Sequence, residues 1–378
     1  MHALVVSPIP SDPINQGNSA RIGRFCELLQ YHGYRVHFVY YGLEGLSPRQ
    51  ESVMRARWDW FHYVQPRISK TQTRSDGFGI DDYCGPELPA YIEHLQRSWR
   101  FDIAVINYVW SSRVAEAIRP ETFSIIDTHD LFGGRQQLLQ EQGVAPAWFF
   151  CSPQQEAMGL ARANAAIAIQ DAEALVLTGR VENQLFTIGH ILPKSYLPVP
   201  TRADRIRVGY LASGNPSNRL SFEELIECLK DRPDITDRFE FRIAGAIGQY
   251  VPNGQPGFVA LGFVEDAVEF YRDVDLIINI NISGTGLKIK TVEALAHGMP
   301  IITTRDGMCG IATNCKGHLC DDLQELLDCL EAISGEDDLL RLRAESCIVF
   351  ENYTKQQLAN FRAMLDVANS YVIESRAS

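Results

Sequence analysis

No stretch of this sequence stays apolar for the roughly 18 residues that a membrane-spanning helix needs. The longest runs, such as VDLIININI around Asp275, stop well short, so no span is expected. Positive charge is also scarce. With 35 Lys and Arg against 47 Asp and Glu, the formal charge is −12, which disfavours sequence-independent nucleic-acid binding but leaves room for one local nucleotide pocket. The nine cysteines lack any C-x-x-C pair and are odd in number, which reads as reduced thiols in a reducing cytoplasm. The one cluster, Cys309, Cys315, His318 and Cys320, has spacing unlike a zinc site, and no metal is expected. The opening MHALVVSPIP offers only the short apolar run Ala3 to Val6 without a basic flank, so no secretion leader is expected. Short-period repeats and low-complexity tracts are missing, which argues against a solenoid. No G-x-G-x-x-G follows the first apolar run ALVVS, which argues against a dinucleotide oxidoreductase.

What is present is an alternation of short apolar runs with amphipathic segments, the pattern of parallel sheets with crossover helices. In the first half ALVVS, RVHFVY, DIAVIN, FSIID and AAIAI read as strands, and Ser19 to Tyr31 places Ile22, Phe25, Cys26 and Leu29 on one helical face. In the second half RIRVGYL, FEFRIAG, FVALG, VDLIINI and PIITT repeat the signal, with FEELIECL and VEALAHG as helices between them. The 378 residues suffice for two cores. The proline-rich LPKSYLPVPT, Leu192 to Thr201, reads as the linker. The expected domains are therefore 1–195 and 202–350, followed by a C-terminal helix over 351–378 that would cross back to the first domain. Arg55 to Gly85, beginning RARWDWFHY, breaks the pattern and reads as an insertion or mobile loop.

The most informative stretch is INISGTGLKIKTVEALAHGMPIITT, Ile280 to Thr304. A strand leads into Ser283, Gly284, Thr285 and Gly286, and a helix is expected to begin near Leu287. Free amides and the positive helix end would meet an anion there, with Lys288 and Lys290 adding charge. Glu293, further into the helix, would accept hydrogen bonds from two adjacent hydroxyls, as on a ribose. The plainer reading is a glycine turn used for tight packing beside solvated lysines.

GTGLKIKTVEALAHGMPIITT resembles the donor-binding signature of family 4 glycosyltransferases. The likeness extends through VGYLASGNPSNRL, FEFRIAG and FVALGFVEDAVEFYRDVDLIINI, from about Arg205 to Ile311. SPIPSDPINQGNSARIGRFCELLQYHGYRVHFV and IIDTHDLFGGR are similar to the opening loop and His motif of the family's first domain. The resemblance implies an α/β protein of the GT-B fold, with two Rossmann-like domains facing each other across a cleft. It implies retaining transfer of a hexose-type unit from a nucleoside diphosphate sugar, UDP or GDP type, to a hydroxyl of a glycan, a lipid-linked acceptor or a small molecule. No cofactor or metal is implied.

By the same resemblance, Glu293 holds the donor ribose as the second acid of a Glu-x7-Glu motif, whose first position is Thr285 here. Lys288, Lys290 and Arg219 would neutralise the diphosphate, though Arg219 reads equally as a solvated charge at a helix start. Gly286 and Leu287 belong to the donor turn, Gly17 would approach the donor phosphate or acceptor, and Gly245 and Val264 would offer backbone contacts to the base. His129 would touch the donor sugar from a strand's carboxyl end, making it catalytic with Lys290 and Glu293. Asp130 would contact the acceptor, and Arg135 reads as a structural ion-pair partner.

Two rivals remain open at this point: a non-catalytic nucleotide-sugar-binding subunit, to which Thr285 lends support, and a GT-B epimerase. RARWDWFHY with Arg67, Lys70 and Arg74 could rest on anionic lipid headgroups or form a partly buried aromatic cluster with solvated arginines. The expected location is cytoplasmic, with peripheral contact at the inner face of the membrane as the alternative that follows from the lipid reading.

Overall fold

A computed structural model describes the chain except for residues 15, 142, 144–147, 199–204, 284–285 and 378. The described chain divides into two compact units, Met1–Ile191 with Gln357–Ser378, and Leu192–Gln356. Among the described residues no helix is long and apolar enough to cross a membrane.

The first unit is built on a seven-stranded sheet. Its strands are β1 (His2–Ser7), β2 (Arg35–Tyr41), β3 (Trp60–Val64), β4 (Ile103–Asn107), β5 (Phe123–Asp127), β6 (Ala165–Ala168) and β7 (Gln184–Thr187). They lie in the order β3-β2-β1-β4-β5-β6-β7, every pairing parallel. The central strands are buried along nearly their whole length, which explains their continuous rather than alternating apolar runs. The second unit has the strands β8 (Ile206–Leu211), β9 (Phe239–Ala244), β10 (Phe258–Gly262), β11 (Leu276–Asn279) and β12 (Ile301–Thr303). Their order is β10-β9-β8-β11-β12, again all parallel. In each sheet the order reverses once, at β1/β4 and at β8/β11. Such switch points open a crevice beyond the carboxyl ends of the strands, where ligands bind.

The segment from Arg55 to Gly85 departs from the expected loop. Part of it extends the sheet, because β3 pairs with β2 in the register His37↔Trp60 and Val39↔His62. Its aromatic side chains take part in packing: Trp58 and Phe61 are buried, and Trp60 stacks on His37 at 4.1 Å. Arg57 is held by Asp12 at 2.9 Å and Glu27 at 2.5 Å, and Arg55 lies over the Phe61 ring. The cluster is thus partly buried.

The C-terminal helix is longer than the sequence suggested, running from Glu336 to Ala377. Its later residues Phe361, Met364, Leu365, Ala368 and Val372 belong to the core of the first unit.

Candidate functional site

At the β8/β11 switch point the second unit gathers polar groups around a helix start. After β8 the chain turns at Asn215, whose side chain caps helix Pro216–Leu229 by accepting from the Asn218 amide at 2.8 Å. Asn218 is buried and fully used. Its amide nitrogen donates to Ser213, and its Oδ1 accepts from Lys290 Nζ at 3.1 Å and from Asn281 Nδ2 at 3.3 Å. After β11, Ser221 Oγ accepts from the Ile282 amide at 3.2 Å and so ties the loop to the same helix. Helix Ile289–Ala296 then begins, two residues beyond the expected Leu287, with no side-chain cap and no acidic residue in its first turn. Its free amides and positive end are therefore open to an anion.

Lys290 and Glu293 lie on this helix one turn apart, hence on one face. As whole residues they are partly exposed, but their charged ends are drawn out of water. Burial, reinforced by the Lys288 ammonium, brings the Lys290 amine down to about 7. Burial alone brings the Glu293 carboxyl up to about 7. Lys290 rests over the Tyr210 ring at 4.8 Å, and no carboxylate pairs with it among the described residues. Nothing among those residues donates a hydrogen bond to Glu293; burial and then its carboxylate push the nearby Tyr271 phenol well above its usual range. Asn281 Oδ1 and Ser283 Oγ, both buried, also lack partners among the described residues. The arrangement thus offers an amine, a helix end and a carboxylate with no counter-charge of their own.

The other second-unit positions fall around this helix start with different degrees of engagement. Gly286 is buried at φ 78, accepts from Lys288 Nζ at 3.0 Å and leads to buried Leu287. Arg219, in the first turn of its helix, is exposed, pairs with Glu223 at 3.3 Å and lies over the Tyr250 ring. Gly245 follows β9 at φ 85, and a Cβ there would sit 2.3 Å from the Ala212 carbonyl oxygen, so close backbone approach already requires glycine. Val264 lies in the turn after β10. Thr285 and Gly284 lie outside the described residues. Among the described residues no three His, Cys, Asp or Glu side chains come together as a metal site. His318 instead meets the Thr313 and Ser346 hydroxyls at 3.0 and 3.2 Å.

In the first unit, Gly17 is the first residue of helix Gly17–Tyr31 and His129 lies just beyond β5. His129 adopts φ 62 and Tyr108, beyond β4, adopts φ 69; their rings stack at 4.1 Å. Two adjacent non-glycine residues in left-handed conformation store strain that the surrounding bonds must hold. His129 Nε2 lies 2.9 Å from Asn107 Oδ1, and burial brings its pKa down to about 4. Beneath it, the buried Arg21 pairs with Asp127 and donates to the carbonyls of Ile188 and Gly189. Asp130 pairs with Arg135 at 2.9 Å.

Sequence reasoning passed over Asn107, Asn218, Asn281 and the Arg21–Asp127 pair. Isolated asparagines near strand ends carry no periodic signal. Arg21 left a trace, since it shares the spacing of Phe25 and Leu28 on a face that is otherwise buried.

Residues 206–335 match the family described as Glycosyl transferases group 1. No curated protein matches the chain in sequence. Among solved structures, the chain is similar to Anabaena HepE in complex with UDP and glucose, at TM-score 0.64 and 13% identity over 96% of this chain and 100% of that one. It is similar to an S. aureus TarM mutant in complex with fondaparinux, alpha-GlcNAc-glycerol and UDP, at TM-score 0.69 and 10% identity over 97% and 99%. Sucrose-phosphate synthase from Thermosynechococcus elongatus aligns at TM-score 0.61 and 15% identity over 100% of each chain.

Proposed function

We propose that this chain, which has the GT-B fold and whose residues 206–335 match the group 1 glycosyl transferases, is a retaining glycosyltransferase that uses a nucleoside diphosphate sugar. The observation that carries this reading is the pair of uncompensated charges on helix Ile289–Ala296. A desolvated amine without a counter-charge and a desolvated carboxylate without a donor among the described residues cost stability, and a diphosphate and a ribose diol supply what each lacks. Lys290, with Lys288 and the helix end, neutralises the diphosphate; Glu293 accepts from the ribose hydroxyls. Gly286, Leu287 and Thr285 bind the donor, Gly245 and Val264 line the base through their backbones, and Arg219 is a peripheral cation. The second unit is then the donor side and the first the acceptor side, where Gly17, His129 and Asp130 meet substrate hydroxyls or phosphate. The HepE and TarM structures, solved with UDP, support a uridine nucleotide.

In the transfer, the bond from anomeric carbon to phosphate oxygen breaks, and its electron pair leaves with the diphosphate. The acceptor hydroxyl oxygen bonds to the same face of that carbon, and its proton passes to the departing phosphate oxygen. Fixed positive charge beside the leaving group stabilises the transition state more than the ground state. No protein base is required.

The test is thermal unfolding with UDP- and GDP-sugars, followed by transfer assays with hydroxyl acceptors. The right donor at 100 times its Kd should stabilise the protein by about 2.7 kcal/mol. Lys290→Met and Glu293→Gln should each abolish most of that shift. An undiminished shift in both variants overturns the reading.

A further inference from the structure

We infer that Asn107 acts as a positioning residue that locks the His129 imidazole in the tautomer with its proton on Nε2, leaving Nδ1 as a lone-pair acceptor for a substrate hydroxyl. This deepens the functional reading above and rests on His129 facing a sugar.

The argument begins with the amide of Asn107. Its Nδ2 donates to the Val6 carbonyl on the neighbouring strand at 2.9 Å. A flip would set Oδ1 against that carbonyl oxygen, two acceptors facing each other, so the amide has one orientation. Oδ1 is thereby fixed 2.9 Å from His129 Nε2. A carboxamide oxygen can only accept, so Nε2 must carry the proton. Among the described residues Nδ1 has no hydrogen-bond partner.

The ring is also held against rotation and against charging. Tyr108 stacks on it at an interplanar angle of 13°, and the Tyr108 amide donates to the Asp127 carbonyl at 2.8 Å. Asn18, near the start of helix Gly17–Tyr31, holds the Tyr108 hydroxyl in turn. The charged groups around His129 are Asp127, 3.8 Å from Nε2, and Arg21, and these two are paired with each other at 2.8 Å. Burial therefore decides, and the ring stays neutral well below pH 7. A charged imidazole would present N–H groups at both nitrogens and lose its acceptor.

The experiment reads ring nitrogens directly in protein labelled with 15N-histidine, with His129→Gln to assign the signal. The expected wild-type spectrum shows one tautomer, protonated on Nε2 and unchanged from pH 8 to pH 5. Asn107→Asp puts a carboxylate where the amide was and should raise the His129 titration into that range. Sugar transfer by this variant should then fall as pH drops through the new midpoint and recover at alkaline pH, which a merely structural role would not produce. Should Asn107→Asp fold poorly, Asn107→Ala should convert the single tautomer into a mixture and lower kcat/KM on the order of tenfold. A wild-type ring protonated on Nδ1, or already a mixture, overturns the inference. So does an Asn107→Asp protein whose ring titrates while its transfer profile stays flat. If no nucleotide sugar is turned over even by the wild type, the glycosyltransferase reading fails while the spectrum still decides the tautomer.

Discussion

Lys290 and Glu293 face opposite demands from pH. Lys290 binds an anion only when protonated, and its pKa of about 7 means that this capacity fades as pH rises past neutrality. Glu293 accepts from two hydroxyls only when ionised, and its pKa of about 7 means that this capacity fades as pH falls. Donor affinity should therefore peak near pH 7 and decline on both sides. Titration calorimetry from pH 5.5 to 8.5 checks this, and a flat profile would show that the two groups do not contact the donor. The same logic predicts that Lys290→Met raises the stability of the ligand-free protein by about 1 kcal/mol, read by urea denaturation, because it removes a cation that nothing balances. At this scale the motif residues were legible because glycine, lysine and glutamate stand at fixed offsets along one helix. Asn218 and Asn107 were not, since their importance comes from what meets them across 72 and 22 residues of chain.

Strands and helices add a second kind of constraint, because charge buried between them has no water to fall back on. Arg21 on helix Gly17–Tyr31 and Asp127 at the end of β5 are almost wholly buried, with side chains 2% and 1% exposed. Burial pushes the Asp127 carboxyl up, but the Arg21 guanidinium more than offsets it and holds the pKa below the usual carboxylate range. Asp127→Leu leaves a buried cation unpaired and should cost about 3–5 kcal/mol in chemical denaturation. The double variant Arg21→Met with Asp127→Leu should cost less than the sum of the two single changes. Across β1, β2 and β3 runs a row of histidines, His2, His37 and His62, with His2 Nδ1 and His37 Nε2 3.1 Å apart. Burial lowers all three, His37 to about 3. Asp59 and Asp102 oppose the shift, while Arg35, Arg55 and the N-terminus reinforce it. A histidine whose folded pKa lies below 6.5 binds its proton first in the unfolded chain, so stability rises with pH through that window and is lost as pH falls below about 6.5. His37 alone should cost about 2 kcal/mol at pH 5 relative to pH 7, and His37→Phe should flatten the acid limb of a denaturation series. The inner strands were legible as apolar runs. Two edge strands of the first sheet, β3 and β7, were not, because their short runs WFHYV and QLFT mix apolar with polar residues.

The largest structural dependence at the scale of the whole molecule lies in the C-terminal helix. Residues 357–378 belong to the first unit although the whole second unit intervenes in sequence. Phe361, Met364, Leu365, Ala368 and Val372 pack in that unit's core, while Gly189 donates to the Gln357 side chain at 2.7 Å and Arg376 pairs with Asp102 at 3.0 Å. At about 1.5–3 kcal/mol for each large side chain, their loss rivals the net stability of an ordinary domain. A chain ending at Gln356 should lose the unfolding enthalpy of its first unit in calorimetry; retention of that enthalpy would show the helix to be dispensable. By itself the sequence determined the α/β class, the doubled pattern of parallel strands and the helix that bears Lys290 and Glu293. These are properties of residues near one another in the chain, where periodicity and spacing act directly. Only the tertiary structure decided the strand order that creates the switch points, the pairing of Arg21 with Asp127, the grip of Asn107 on His129 and the absence of a counter-charge at Lys290 among the described residues. Those depend on which distant segments become neighbours, and the cost or gain of a buried polar group exists only once that neighbourhood has excluded water.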